Sequence, residues 1–238
     1  MDSRIGATAA QSRVDAVLFD FSGTLFRLEP NESWVPHFTD HDGTAFDIDT
    51  RTELMRRMTA PVGLNVDVDE ADRHAWENRD LDPALHRSAY LNVLTTSGVP
   101  YEQSVALYSH LIDPMQWTPY QDVAATLALL IARNIRVAVV SNIAFDVRPA
   151  FSARGWADLV DEFVLSFEIG ATKPDPRIFR LACDRLGVDP QHCLMVGDSD
   201  EADGGARAIG CAFALVEPTE TAVRTHGLLD ALAANSIT

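Results

Sequence analysis

Val14-Asp15-Ala16-Val17-Leu18-Phe19-Asp20-Phe21-Ser22-Gly23-Thr24-Leu25 is the stretch on which the reading of the fold turns. A near-continuous apolar run over 14–19 ends in a carboxylate, then a hydroxyl, a glycine and a second hydroxyl. Such a run, bounded by turn residues, predicts a strand over 14–20 buried on both faces. Asp20 then stands at its carboxyl end, where open α/β sheets place their ligands. Gly23 permits a sharp turn just beyond.

Downstream, three more stretches have the same character. Ile135 to Val140 predicts a strand ending in Ser141-Asn142. Residues 160–165 predict another. Cys193 to Gly197 predicts a strand ending in Asp198-Ser199-Asp200-Glu201-Ala202-Asp203. A fifth strand is expected over 211–216. Between these lie helical patterns, near 123–131, 146–154, 177–186, 203–209 and 220–234. Gly210 suits the end of the fourth helix. Strands alternating with helices imply a doubly wound parallel sheet, a Rossmann-like α/β core.

Residues 28–116 break the pattern. No buried strand is legible there. Asp82-Pro83-Ala84-Leu85 predicts a capped helix start running toward Gly98, and a second helix is expected over 101–111. Asp40-His41-Asp42-Gly43 predicts a turn. The division expected is a core of 1–27 and 117–238 with a mostly α-helical insertion, a cap or lid, over 28–116. Residues 1–13 are small and polar, and are expected to form a loose tail.

Composition narrows the function. Of 238 residues 47% are hydrophobic, enough for a packed core. The formal charge is −16, from 35 acidic against 19 basic residues. That excludes nucleic acid and an anionic membrane as partners, since both need basic patches. It leaves room for a phosphorylated small molecule, because a divalent cation reverses the local field of clustered carboxylates. Eighteen of the basic residues are arginine and one, Lys173, is lysine. A compact ammonium at that position suggests a point charge that a planar guanidinium would not replace. Cys183, Cys193 and Cys211 match no metal-binding spacing and are expected to be buried structural thiols. No signal peptide and no run of bilayer length is present, so a cytoplasmic setting is expected.

Parallel strands put their carboxyl ends on one edge. Asp20, Ser141-Asn142 and the Asp198–Asp203 cluster therefore converge, with Lys173 from a connecting loop. That set suits a carboxylate nucleophile, a hard metal ion held by oxygens and a phosphoryl substrate. Asp200 and Glu201 are expected to be solvated, and His37, His41, His74 and His86 to be structural or solvent-facing.

On these residues the chain resembles the haloacid dehalogenase superfamily of hydrolases. The match is Asp20-Phe21-Ser22-Gly23-Thr24-Leu25, Ser141-Asn142, Lys173-Pro174, and Gly197-Asp198 with Asp203, in order along the whole chain. The resemblance implies a Rossmann-like core, a mobile helical cap and catalysis at their junction. It implies Asp20 as nucleophile. It implies Mg²⁺ held by Asp20, the backbone carbonyl of Ser22 and Asp198, with Asp203 beside it. Ser141 would bind the transferred group, with Ser22 and Asn142 among the substrate-binding residues. Lys173 would hold the nucleophile and phosphate charges together.

One position departs. Phosphatases of this superfamily usually carry a second aspartate, the general acid–base, where this chain has Ser22. A serine hydroxyl does not replace that role, which is worth about 10²–10⁴-fold in rate. Haloacid dehalogenases usually have an aromatic residue there and need no acidic metal motif, yet Gly197-Asp198 and Asp203 are present. Phosphonoacetaldehyde hydrolases use a cap lysine, and 28–116 contains none. The reading is a Mg²⁺-dependent phosphoester hydrolase acting on a small phosphorylated metabolite through an aspartyl-phosphate on Asp20. The alternatives are a carbon–halogen hydrolase and a phospho-ligand binding protein that has lost turnover. Either the cap supplies a substitute for the missing acid–base, with histidine the best-suited residue type at neutral pH, or hydrolysis of the aspartyl-phosphate is slow.

Overall fold

A computed structural model of the chain describes residues 13–59 and 69–238. The tail expected over 1–13 lies outside them except for Arg13. In chain order the strands are β1 (Ala16–Phe19), β2 (Phe26–Leu28), β3 (Trp117–Pro119), β4 (Arg136–Ser141), β5 (Glu162–Leu165), β6 (Cys193–Gly197) and β7 (Ala212–Leu215). The helices are α1 (Ile48–Thr59), α2 (Glu70–Glu77), α3 (Pro83–Thr96), α4 (Tyr101–Ile112), α5 (Val123–Ala132), α6 (Arg148–Ser152), α7 (Ser166–Ile169), α8 (Pro176–Leu186) and α9 (Gly227–Ala234).

Five strands form one parallel sheet in the order β5-β4-β1-β6-β7. β1 is central and every residue in it is buried. Its side chains alternate, as a strand's must. Val17 and Phe19 join Val137, Val139, Leu194 and Val196 on one face, in the larger core cluster with α5 and α9. Ala16 and Leu18 join Ala138, Val140 and Met195 on the other, beneath α8. This two-sided burial explains why β1 is apolar throughout rather than alternating in sequence.

The connections reverse direction between β1 and β6. From β1 the chain moves outward to β4 and β5, then returns past β1 to β6 and moves outward again to β7. The crevice outside the carboxyl ends of β1 and β6 is thus the switch point at which ligands bind in such sheets. Asp20 and Asp198 follow those two strands directly.

Three elements differ from the sequence expectation. β2 and β3 form a short antiparallel pair at the two ends of the helical insertion, with Phe26 opposite Pro119 and Leu28 opposite Trp117. Three-residue strands carry no readable period. The terminal helix starts at Gly227, not 220, because residues 217–226 instead form a strap over the loop after β1. There Glu29 accepts from Thr221 N and Oγ1 at 2.8 and 2.7 Å, and Arg27 donates to the Pro218 carbonyl. The stretch Asp203–Ile209 is 3-10 rather than α-helical. Two consecutive glycines, Gly204 and Gly205, weaken an α-helix there.

The insertion holds α1 to α4, with α3 packed between α2 and α4. Asp82 caps α3 by accepting from Ala84 N, with Pro83 in the first turn. Asp40 Oδ1 accepts from Asp42 N and Thr44 N, and Gly43 has a positive φ, so 40–43 is a turn as expected. Among the described residues no helix is long and apolar enough to cross a membrane.

Candidate active site

Asp20, Ser141, Lys173 and Asp203 meet in a buried cluster at the sheet's carboxyl edge. Lys173 Nζ donates to Asp20 Oδ1 and to Asp203 Oδ1, each at 2.6 Å. Ser141 Oγ donates to the same Asp20 oxygen at 3.2 Å. Asp20 and Lys173 are each 5% exposed and Asp203 1%, so the charges persist because they are paired. Burial alone would push the Lys173 amine down. The two carboxylates more than reverse this and hold it above its ordinary range.

Carboxylates outnumber the ammonium. Ligand oxygens of Asp20, Asp198 and Asp203 lie within 4.8 Å of one another. Lys173 serves two of them, and among the described residues no ion pair within 4.0 Å reaches Asp198. Desolvation, then Asp20 and Asp203, push the Asp198 carboxyl up to about 7. Burial raises Asp20 to about 6, against the pull of Lys173. A carboxylate pushed up by like charges is the mark of a site short of positive charge. Three hard oxygen donors with a deficit of two charges fit a Mg²⁺-like cation.

Two glycines make the convergence possible. Gly23 has φ +76°, and a side chain on it would run into the Asp198 carboxylate. Gly197 lets Asp203 fold back against the end of β6, since a Cβ there would overlap the Asp203 side chain. Asp203 Oδ2 also accepts from Ser199 N at 3.0 Å, which fixes its orientation.

Asn142, expected to bind substrate, is spent on the scaffold. Its Nδ2 donates to the Lys173 carbonyl at 2.9 Å and its Oδ1 accepts from Lys173 N at 2.7 Å. Both ends of the amide therefore hold the main chain that carries the ammonium. Ser22 is half-buried, next to the turn at Gly23. Asp200 and Glu201 are exposed, and Asp200 pairs with Arg207 at 2.7 Å.

A cavity of about 990 Å³ opens over this edge, with Ser22, Gly23 and Asp198 on its wall. Arg27, Arg51 and Arg56 also line it, among apolar side chains from the insertion. The buried Nε atoms of Arg27 and Arg51 have no hydrogen-bond partner.

None of the four histidines named above replaces the missing acid–base by its geometry, and the fifth in the insertion, His110, stacks on the Trp34 ring. His41 and His74 are exposed and His37 is half-buried. His86 is buried against Tyr108, with Nδ1 3.0 Å from the hydroxyl, and desolvation pushes it down to about 3. One residue of the insertion is tied to this edge through its backbone. Asp80 lies in the loop between α2 and α3 and feels Lys173. Its backbone is latched to the catalytic edge: Ser166 Oγ lies 2.5 Å from Asp80 O and accepts from Ile143 N at 2.9 Å. Desolvation raises the Asp80 carboxyl above its usual range, with Arg79 and then Lys173 opposing.

Arg224 is a second residue that the sequence did not single out. It is 8% exposed and lies over the Tyr120 ring, 3.2 Å from its centroid. It donates to the carbonyls of Gly23, at 2.7 Å, and of Thr24. It thereby clamps the loop after β1 from the far side. No local pattern separates it from an arginine on an ordinary helix face.

A Rossmann-like core whose strand ends gather a carboxylate, a hydroxyl, a lysine and two further carboxylates defines a class of hydrolase. The chain matches the haloacid dehalogenase-like hydrolase family over residues 14–210, and it belongs to that family. A haloacid dehalogenase-like hydrolase domain-containing protein 3 from Mus musculus is 33% identical over 168 residues, 65% of this chain and 67% of that protein. A ribulose-1,5-bisphosphate 5-phosphatase from Halopiger xanaduensis is 33% identical over 219 residues, 89% of this chain and 88% of the relative. The solved L-2-haloacid dehalogenase of Xanthobacter autotrophicus shares the fold with a TM-score of 0.62, at 22% identity, over 91% of this chain and 83% of its own.

Proposed function

We propose that this hydrolase is a Mg²⁺-dependent phosphatase acting on a small phosphorylated metabolite. The observation that carries this reading is the third carboxylate. Asp198 adds negative charge to a buried group that Lys173 alone does not balance. Carbon–halogen hydrolysis has no use for that surplus, whereas a dianionic phosphoryl group needs the cation it would hold.

In this reading Asp20, Asp198 and Asp203 would supply carboxylate oxygens to Mg²⁺, and Ser22 its carbonyl. When bound, the cation would neutralise phosphate oxygens and allow an anion to approach a carboxylate. The remaining work falls to the chain's own residues. Lys173 and Ser141 hold Oδ1 of Asp20, which orients the carboxylate and leaves Oδ2 uncommitted to either. Asp20 attacks phosphorus, the ester oxygen departs, and water then releases phosphate from the aspartyl group. Lys173 screens the repulsion between Asp20 and the incoming phosphate. Ser141 donates to a phosphoryl oxygen once it turns from Asp20.

Protonating the leaving group and activating water is assigned to Asp80. The support is its backbone latch to Ile143 through Ser166, a pKa raised by burial and its place in the field of Lys173. The insertion acts as a cap, bringing Asp80 and the cavity arginines to the core. Arg27, Arg51 and Arg56 line the cavity beside Glu29, Glu32 and Glu220, a wall of mixed charge whose guanidinium groups would meet a second anionic group on the substrate. Free cysteines suit a reducing, cytoplasmic setting.

Ser22 supports a second reading. Displacement of halide by a carboxylate needs no proton on the leaving group, so a missing acid–base costs a dehalogenase nothing at that step. A panel of phosphoesters and 2-haloacids, each with Mg²⁺ and with chelator, separates the two. Phosphate release that chelation abolishes is the expected result. Metal-independent halide release alone would replace the first reading with the second. Binding of phosphoesters without release of either ion would leave a binding protein.

A further inference from the structure

At the opposite edge of the sheet lies a second cluster that the hydrolase chemistry does not use. Cys183 comes from α8, Cys193 opens β6, and Cys211 immediately precedes β7. All three of the chain's cysteines are therefore gathered at one point, from three separate elements. Their sulfurs lie within 4.8 Å of one another, with Cys183 and Cys193 3.5 Å apart. They are 1%, 1% and 5% exposed and none is in a disulfide.

We propose that Cys183, Cys193 and Cys211 form a binding site for a soft divalent cation of the Zn²⁺ type, separate from the carboxylate site. Sulfur ligands at the Zn–S length of about 2.3 Å on a tetrahedral centre stand about 3.8 Å from one another, a spacing that the 3.5 Å Cys183–Cys193 separation and the 4.8 Å bound on the trio accommodate. Thiolates select such soft cations and do not hold Mg²⁺. The Asp189 carbonyl oxygen lies 3.5 Å from Cys193 Sγ. Sulfur and oxygen ligands at ordinary lengths on a tetrahedral centre are separated by roughly that distance. Asp189 O already accepts from His192 N at 2.8 Å, so it or a water closes the fourth position through a remaining lone pair.

The balance of the step is three thiols plus one M²⁺ giving a tris-thiolate of charge −1 and three protons. A divalent ion leaves less residual charge in this apolar setting than a monovalent one would, and buried charge is what limits such a site. A bound ion would tie α8 to the starts of β6 and β7. The sequence concealed this because intervals of ten and eighteen residues match no motif; only the fold closes them.

The test uses the full chain, reduced and stripped of metal, with excess Mg²⁺ to occupy the carboxylate site. Cd²⁺ titration should give a sulfur-to-cadmium charge-transfer band saturating at one equivalent, reversed by Zn²⁺. Cys193→Ser should weaken binding on the order of 100-fold. No band in the wild type, or an equal band with all three cysteines replaced by serine, overturns the site. Should a serine variant fail to fold, X-ray absorption on the Zn²⁺-loaded wild type decides. Three sulfur neighbours support the site and fewer overturn it.

Discussion

The core and the helical insertion both bury ionisable side chains, and they do so in opposite ways. The core keeps its charges and pairs them. Lys173 sits between Asp20 and Asp203 at 2.6 Å from each. The insertion suppresses charge. His86 is held neutral against the Tyr108 hydroxyl and aromatic rings. Removing charges from water is expensive, so a folded chain retains them where attraction or function repays it and otherwise stays neutral. The core cluster is therefore built to meet a charged ligand, and the interior of the insertion is built to pack. Asp80 breaks the division. It belongs to the insertion in sequence, yet its backbone is tied to the core edge and its carboxyl lies in the field of Lys173.

The strongest way to break this contrast is at its centre. Asp20→Asn keeps the shape and the hydrogen bonds to Oδ1 but removes the proposed nucleophile. Turnover on the best phosphoester or haloacid found should fall by about 10⁴-fold or more. Circular dichroism and the urea midpoint should show a folded protein. Turnover close to wild type in that preparation would remove covalent catalysis by Asp20 from both enzymatic readings.

Asp80→Asn asks whether the insertion contributes chemistry or only walls. Loss of an acid–base group lowers kcat by roughly 10²–10⁴-fold, and the lower end is expected here. The loss should shrink for an aryl phosphate, whose leaving group departs without a proton. An equal loss on alkyl and aryl esters would make Asp80 a positioning residue. Ser22→Asp sharpens the same point from the core side. It restores a carboxylate two residues after Asp20 and should raise phosphatase turnover by about tenfold, more in the Asp80→Asn background than alone. Mg²⁺ affinity must be measured alongside, because the added charge also faces Asp20. Normal Mg²⁺ binding with no gain in either background would show that proton transfer is not what limits the enzyme.

The contrast also explains what was legible in the sequence. Asp20, Ser141 and Asp198 were readable because each ends a buried strand, and parallel strands end together. Lys173 was readable as the one lysine. The central sheet followed from two-sided apolar runs such as Ala16–Phe19. What escaped depends on contacts between distant segments. Arg224 matters because Gly23 and Thr24 present carbonyls to it across about 200 residues. Asp80 matters because Ser166 and Ile143 bring its loop to the core edge. Residues 220–226 have helical spacing, but their polar groups meet Glu29 and Tyr120, and the strap prevails over the periodicity. Asn142 reads as a ligand-binding residue because it follows Ser141 at a strand's carboxyl end; its side chain turns instead to the Lys173 backbone.

The smallest effect on turnover is expected at His86, and it tests the other half of the comparison. In the unfolded chain a histidine titrates near its ordinary value of 6.5, whereas here burial, and then Arg79, push it down to about 3. Well above pH 6.5 both states are neutral and His86 adds no pH dependence. As the pH falls through 6.5 the unfolded chain takes up a proton that the folded chain refuses until about 3. Stability must therefore decline across that window, by on the order of several kcal/mol for a shift of this size. His86→Asn removes the titration and keeps a polar atom near the Tyr108 hydroxyl. It should lower stability at pH 7 by about 1–3 kcal/mol, through lost packing. It should also flatten the fall in urea-unfolding free energy between pH 6.5 and 4, with kcat at neutral pH changed less than about twofold. An unchanged slope would mean that His86 gains its proton without unfolding the protein. The insertion would then bury charge as the core does, and the distinction between the two regions would not hold.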